Sequence, residues 1–141
     1  MNEQIRDVIL ARADRLSAGD VTGMQEHNAP SVVAYTLAPP LVSDPDGHDP
    51  KGLEAWLGGF EAPPRRTITE LEITADGDVA FATSLDSMSA TPRGATEPFT
   101  LWYRVTLGLR RVDGRWLVVH EHESVPFYMD GSLRAAVDLT P

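Results

Sequence analysis

The segment that decides the fold covers residues 102–127, WYRVTLGLRRVDGRWLVVHEHESVPF. Within it, Asp113 and Gly114 separate two runs in which apolar and polar residues alternate. A type I′ turn needs a positive φ at both central residues, and an Asp-Gly pair between alternating runs is therefore a strong hairpin signal. The sequence predicts two long antiparallel strands, over Phe99–Val112 and 115–125, joined by a two-residue turn.

The two-residue turn also predicts the register of this hairpin. With Val112 opposite Arg115 and no interruption of the pairing, Leu107 faces His120 and Val105 faces His122. One face then carries both histidines among apolar side chains, and we expect it to form the core and to line a cavity. The apolar members of that face are Tyr103, Val105, Leu107, Leu109, Trp116 and Val118.

The opposite face of the predicted hairpin mixes charged and apolar side chains. Arg104 lies opposite Glu123 and close to Glu121 in this register, which predicts charge-assisted pairing between them. Leu117 and Val119 add apolar area that is unusual on the surface of a lone monomer. We therefore expect a homodimer formed through the face that bears Arg104, Leu117, Val119 and Glu121.

The rest of the chain places helices before strands. Helical spacing of apolar residues predicts a first helix over 3–18, and an Asp20 cap predicts a short second one. Asp49 and Pro50 predict the start of a third helix. A strand is predicted over 31–37, a loop over 38–50, strands over 67–74 and 79–88, and a turn of helix near 132–137. This order is typical of an α+β domain with about three helices packed on a strongly curved, mixed or antiparallel sheet.

Size, composition and charge narrow the classes of function. A chain of 141 residues with 42% hydrophobic and 23% charged residues fits one globular domain over 1–141. The net charge of −9 repels phosphate and anionic lipid, so neither nucleic acid nor a membrane is an expected partner. No secretory signal is visible, and the expected location is cytoplasmic. The absence of cysteine excludes disulfides and cysteine nucleophiles.

The segment at 102–127 resembles the SnoaL-like and ketosteroid-isomerase-like proteins of the nuclear-transport-factor-2-like superfamily, above all in RVTLGLR, DGRW and HEHxSVPF. The predicted order of elements agrees along nearly the whole chain. The resemblance implies a cone-shaped α+β barrel of cystatin-like architecture, usually dimeric, with a pocket between the sheet and the helices. It also implies a function among the isomerases, dehydratases, polyketide cyclases and non-catalytic association domains of the superfamily.

The catalytic set of the steroid isomerases is incomplete in this sequence. In those enzymes a carboxylate base follows the first strand, and a tyrosine and a protonated aspartate form the oxyanion hole. The corresponding stretch here, AYTLAP at 34–39, has no carboxylate, and the first predicted helix has no tyrosine. Asp86 is the one acid whose position resembles that of the oxyanion-hole acid, and the face to which it points is open.

His120 and His122 are the remaining catalytic candidates, because imidazole exchanges protons near pH 7. The alternative is a pair of core histidines that bond to backbone or to Tyr103. Tyr35 and Trp56, together with Tyr103 and the two histidines, are candidate ligand contacts, although each aromatic residue also fits simple core packing. No third ligand accompanies the histidines, so neither a metal nor a cofactor is expected.

Two classes of function remain open at this point. The first is a protein with a hydrophobic pocket for a small carbonyl-bearing compound, acting by binding alone or as a cofactor-independent isomerase, lyase or cyclase. The second is a non-catalytic association module without turnover. An open cavity that reaches His120 or His122 favours the first class, and a filled cone favours the second.

Overall fold

The structure is a computed structural model that describes residues 2–141. Helices come first along the chain and a meander of strands follows, as predicted. The elements are α1 (Asn2–Ser17), α2 (Val21–Gln25), β1 (Asn28–Tyr35), α3 (Lys51–Leu57), β2 (Arg65–Asp76), β3 (Val79–Ala90), β4 (Phe99–Val112) and β5 (Arg115–Ser124). The turn of helix predicted near 132–137 does not form, and the tail instead makes an isolated bridge between Phe127 and Ala135.

The five strands form one mixed sheet in the order β1-β5-β4-β3-β2. Strand β1 runs parallel to β5, and the other neighbours are antiparallel. The sheet stays open, with β1 and β2 as its edges. Helices packed on a curved sheet of this kind confirm the predicted α+β class.

Helix α1 covers the inner face of the sheet. Its buried stripe of Ile5, Ile9, Ala13 and Leu16 has the spacing of one helical face, and α1 packs against β2 and β5. Helix α2 begins where predicted, because the Asp20 carboxylate accepts a hydrogen bond of 2.9 Å from the Gly23 N–H. Helix α3 is different, since none of its residues is fully buried.

The β4–β5 hairpin follows the predicted register only close to its turn. Asp113 and Gly114 have φ values of 51° and 78°, as a type I′ turn requires. Leu109 lies opposite Val118 as predicted, but Gly108 lies opposite His120. The residue between them on β5, Val119, is therefore an extra residue that forms a β-bulge.

The bulge reverses the two faces of β5 beyond Val119. Leu107 lies opposite Glu121, and Val105 lies opposite Glu123. The prediction that His120 and His122 share the inner face is therefore wrong, and so is the prediction that the two glutamates lie outside. Gly108 gives a physical reason, because a Cβ at this position would lie only 3.2 Å from the His120 Cβ. The missing side chain leaves room for the bulged strand.

Candidate functional site

Five charged side chains meet inside the cone, where the part of β5 beyond the bulge faces α1, β2 and β3. Burying a charge without a partner is costly, so such a group has to be paired or protonated. Their side chains are between 1% and 14% exposed. This acid cluster consists of Arg12, Arg66, Asp86, Glu121 and Glu123.

Arg66 is the centre of the acid cluster. Its Nε donates to Asp86 Oδ2 at 2.8 Å, and its Nη1 lies 3.6 Å from Glu121 Oε1. Its Nη2 lies 3.8 Å from Glu123 Oε2, and its guanidinium carbon lies 5.6 Å from the centre of the Tyr103 ring. Burial would lower the pKa of Arg66, but the neighbouring Tyr103 and the three carboxyl groups raise it above its usual range. Arg66 is therefore a permanent cation.

Arg12 gives Glu121 a second guanidinium partner. Its Nη2 donates to Glu121 Oε2 at 2.7 Å, and its Nε donates to Asn28 Oδ1 at 3.0 Å. Burial alone would raise the pKa of Glu121, but Arg12 and Arg66 together hold it well below its ordinary value. Glu121 is therefore the ionised member of the glutamate pair.

Glu123 has the opposite character. Burial and the negative charge of Glu121 raise its pKa to about 7, and the positive charges of Arg66 and Arg12 offset this only in part. Its Oε2 lies 3.8 Å from Arg66 Nη2, which is longer than a hydrogen bond. With two guanidinium groups and three carboxyl groups, the acid cluster is neutral when it holds one proton. Glu123 carries that proton and can release it near neutral pH.

Two predicted candidates are found at the acid cluster: Asp86 belongs to it, and Tyr103 lies beside it. Both lie on the inner face, directly opposite each other on β4 and β3. Asp86 accepts hydrogen bonds from Arg66 and from Ser84 Oγ, the latter at 2.7 Å. Burial raises the pKa of Tyr103, so its hydroxyl stays protonated. The side chain of Asp86, whose direction the sequence left open, points inward.

The interior beside the acid cluster is almost filled. A cavity of about 10 Å³ remains there, which is room for about one water molecule. It reaches neither His120 nor His122. The residues around it are Ile9, Arg12, Ala13, Arg66, Ile68, Ser84, Asp86, Val105 and Leu107.

The inner face is more open at the end where β4 begins. Trp56, the predicted candidate on α3, packs edge-on against Phe60 with ring centres 5.1 Å apart. Phe60 lies 6.3 Å from Phe99 of β4. These rings and the neighbouring Leu101 are all half-buried. They form an apolar end to the inner face, along the same strand as Tyr103.

The other three predicted residues lie together on the outer face. The Tyr35 ring meets His120 and His122 edge-on, with ring centres 5.3 and 5.2 Å apart. His120 Nδ1 lies 2.6 Å from the carbonyl oxygen of Val33, so that nitrogen carries the proton and donates. The predicted pairing of Arg104 with Glu121 and Glu123 is absent, and Arg104 instead donates to Ser124 Oγ at 3.1 Å.

Sequence reasoning missed four members of the acid cluster as site residues: Arg12, Arg66, Glu121 and Glu123. The signals were present. Arg12 falls on the apolar stripe of α1, where a charge needs a buried partner. Gly108 in the middle of a long strand signals a bulge, and a bulge would have moved both glutamates inside.

Neither a metal site nor a membrane-spanning helix is found in the part of the chain that the structure describes. Residues 2–141 contain no group of three or more histidine, aspartate or glutamate side chains arranged to hold a metal ion. None of their helices has both the length and the apolar character needed to cross a bilayer.

The protein is of the cone-shaped α+β class. Its curved sheet is covered by α1, and a buried acid cluster lies between them. Within that class, the SnoaL-like domain family matches residues 5–128. The chain belongs to the SnoaL-like domain family. Among curated proteins, none matches this sequence.

Solved structures show the same fold. An NTF2-like protein of unknown function from Pseudomonas putida is 28% identical, with a TM-score of 0.85 over 99% of this chain and 95% of that one. A provisionally named scytalone dehydratase from Novosphingobium aromaticivorans is 14% identical, with a TM-score of 0.79 over 99% and 95%. A provisionally named calcium/calmodulin dependent protein kinase II association domain from Xanthomonas campestris is 18% identical, with a TM-score of 0.75 over 88% and 86%. Proteins named as a dehydratase and as an association domain therefore share this fold.

Proposed function

We propose that the chain binds a small, uncharged, carbonyl-bearing compound at the apolar end of the inner face and moves a proton with Glu123. The observation that carries this proposal is a half-buried glutamate on the inner face that lies 3.8 Å from the nearest guanidinium nitrogen of Arg66 and whose pKa lies near neutrality. An acid or base is most effective when its pKa is close to the working pH. Glu123 is also the most exposed carboxyl group of the acid cluster, at 14%.

Tyr103 supplies the second group that the reaction needs. Its hydroxyl is protonated, and it lies on the inner face next to Glu123, because Val105, two residues further along β4, pairs with Glu123. A neutral hydroxyl aimed at a carbonyl oxygen stabilises the negative charge that develops there when a proton leaves the neighbouring carbon. Glu123, once ionised, accepts that proton and returns it to another carbon of the same compound.

The charge balance of the acid cluster selects a neutral compound. Both guanidinium groups of the acid cluster already face carboxylates, so neither Arg12 nor Arg66 is free to pair with an anionic ligand. The half-buried rings of Trp56, Phe60 and Phe99 match an apolar body.

Hydrogen exchange tests this proposal without knowledge of the natural compound. A panel of apolar cyclic ketones is incubated with the protein in D₂O, and loss of the α-hydrogen signals is followed by NMR. We expect at least one ketone to exchange faster than in buffer, and Glu123→Gln to lower that rate by about 100-fold or more. The matched control is Glu97→Gln, which alters an exposed glutamate and should leave the rate unchanged. Equal rates for wild type and Glu123→Gln with every ketone would refute the proposal.

A second candidate is a dimeric association module, and the small interior cavity of about 10 Å³ favours it. The outer sheet face exposes Val33, Tyr35 and Phe81 at 46%, 38% and 53%. It also bears charges of both signs, with exposed arginines on β4 and exposed acids on β2, as a surface that pairs with its own copy requires. Those charges are Arg104, Arg110, Glu72 and Asp76. The earlier interface prediction is corrected in one respect, since Glu121 is buried inside.

A further inference from the structure

Glu121 and Glu123 are the same residue type, two positions apart on one face of β5, yet only one of them holds the proton. Their distances to Arg66 differ by little, at 3.6 and 3.8 Å. Tyr103 of β4 is close enough to act on both of them, and Asp86 of β3 acts on Glu123. Burial is similar too, with side chains 9% and 14% exposed. None of these neighbours distinguishes the two glutamates strongly.

Arg12 is the group that does distinguish them. It reaches from α1 and makes a hydrogen bond of 2.7 Å to Glu121, whereas no contact within salt-bridge distance joins it to Glu123. A charge-assisted hydrogen bond of this length strongly favours the ionised acceptor.

The position of Arg12 is fixed by a second set of bonds. Its Nε donates to Asn28 Oδ1, and Asn28 Nδ2 donates to the carbonyl oxygen of Gly47 at 3.0 Å. Gly47 is itself held by a hydrogen bond of 3.0 Å from its N–H to the carbonyl oxygen of Pro30. The guanidinium of Arg12 therefore cannot swing from Glu121 to Glu123 without breaking a buried hydrogen bond.

We propose that Arg12 selects which glutamate carries the proton: it keeps Glu121 ionised and so makes Glu123 the acid–base group of the site. This inference rests on the proposed function of Glu123. Arg12 is a positioning residue, because it acts through Glu121 and touches no compound. Two interacting acids titrate as a pair, so removing the bias should redistribute one proton over both of them.

The experiment measures where the proton is. Carboxyl carbons of ¹³C-labelled glutamate are followed by NMR from pH 4 to 9, with Glu121→Gln and Glu123→Gln used to assign the two signals. In wild type, we expect Glu123 to titrate near neutrality and Glu121 to stay ionised throughout. In Arg12→Met, we expect the midpoint of Glu121 to rise by about 3 pH units, so that it titrates inside this range.

Two controls make the result specific. Arg15→Met removes an exposed arginine of the same helix that pairs with Asp20, and both glutamate titrations should remain as in wild type. Arg12→Lys restores a positive charge and should return Glu121 to the ionised state. If Arg12→Met does not fold, Arg12→Gln replaces it, because a neutral amide can still donate to Glu121.

The inference is overturned if Glu121 stays ionised from pH 4 to 9 in a folded variant without a charge at position 12. It is also overturned if Arg15→Met moves the proton as much as the Arg12 variants do. Neither outcome depends on a ligand or on turnover. A failure of ketone exchange with an intact Arg12 effect would therefore reject the proposed function and leave the proton selection standing.

Discussion

Glu123→Gln should change how the stability of the protein depends on pH. Glutamine has the shape of the protonated glutamate and cannot ionise, so the variant keeps the neutral form at every pH. The folded-state pKa of Glu123 is about 7, against an ordinary value of 4.5. The folded state therefore holds a proton that the unfolded state releases between these values, and stability falls as pH rises through this window.

The size of the effect follows from that gap. One unit of pKa corresponds to about 1.4 kcal/mol, so the gap corresponds to about 3 kcal/mol if the folded state does not rearrange. Below the ordinary value the Glu123 contribution is fully present, and above about pH 8 it is lost. Glu121 acts in the opposite direction, since its pKa is lowered, but its contribution is lost only as pH falls far below the range considered.

Urea unfolding followed by tryptophan fluorescence measures this, because Trp116 is only 3% exposed in the folded protein. Curves at pH 5, 6, 7 and 8 give the free energy of unfolding for wild type and Glu123→Gln. We expect the free energy of unfolding of the variant to rise relative to that of wild type by about 2–3 kcal/mol between pH 5 and pH 8. The curve of the control variant Glu97→Gln should run parallel to that of wild type. Parallel curves for wild type and Glu123→Gln would show that Glu123 is ionised in the folded protein.

Two further predictions concern the outer face and the bulge. In sedimentation at micromolar concentration, we expect wild type to be a homodimer and Phe81→Glu to be a 15.4 kDa monomer. Leu41→Glu, on the exposed loop, should remain a dimer. A monomeric wild type would contradict the predicted interface. Gly108→Ala places a methyl group 3.2 Å from His120 Cβ and should lower the melting temperature by an amount equivalent to about 1 kcal/mol or more. Gly52→Ala, where nothing lies within 4 Å, should not destabilise, and equal melting temperatures would mean that the bulge tolerates a side chain.

Local signals explain why much of the fold was predictable. The Asp113–Gly114 turn and the strand Phe99–Val112 appear as predicted, because turn geometry and period-two alternation are written in adjacent residues. The Asp20 cap is equally local. The prediction of a helical turn near 132–137 was wrong, because the stability of a short helix depends more on tertiary packing than on its own sequence.

The candidate site was less predictable, because it depends on which face of β5 each side chain occupies and on partners that are distant in sequence. One extra residue, Val119, moved His120 and His122 out of the core and brought their acidic neighbours in. The identities of the partners could not be read from β5 itself, since Arg12 is 109 positions away from Glu121 along the chain. Tyr103 was placed correctly because it lies on β4, whose alternation is uninterrupted.

Because of the bulge at Val119, the chemistry of the interior depends on the number of residues that precede the polar segment of β5. The segment HEHES at 120–124 can place either its imidazole or its carboxyl groups on the inner face of the sheet. The number of residues between the turn and this segment decides which. Deleting one valine would exchange the two sets without altering a single polar side chain. A chain of this fold can therefore change the acid–base character of its interior through an insertion or a deletion, a step that is invisible to any comparison of residue types alone.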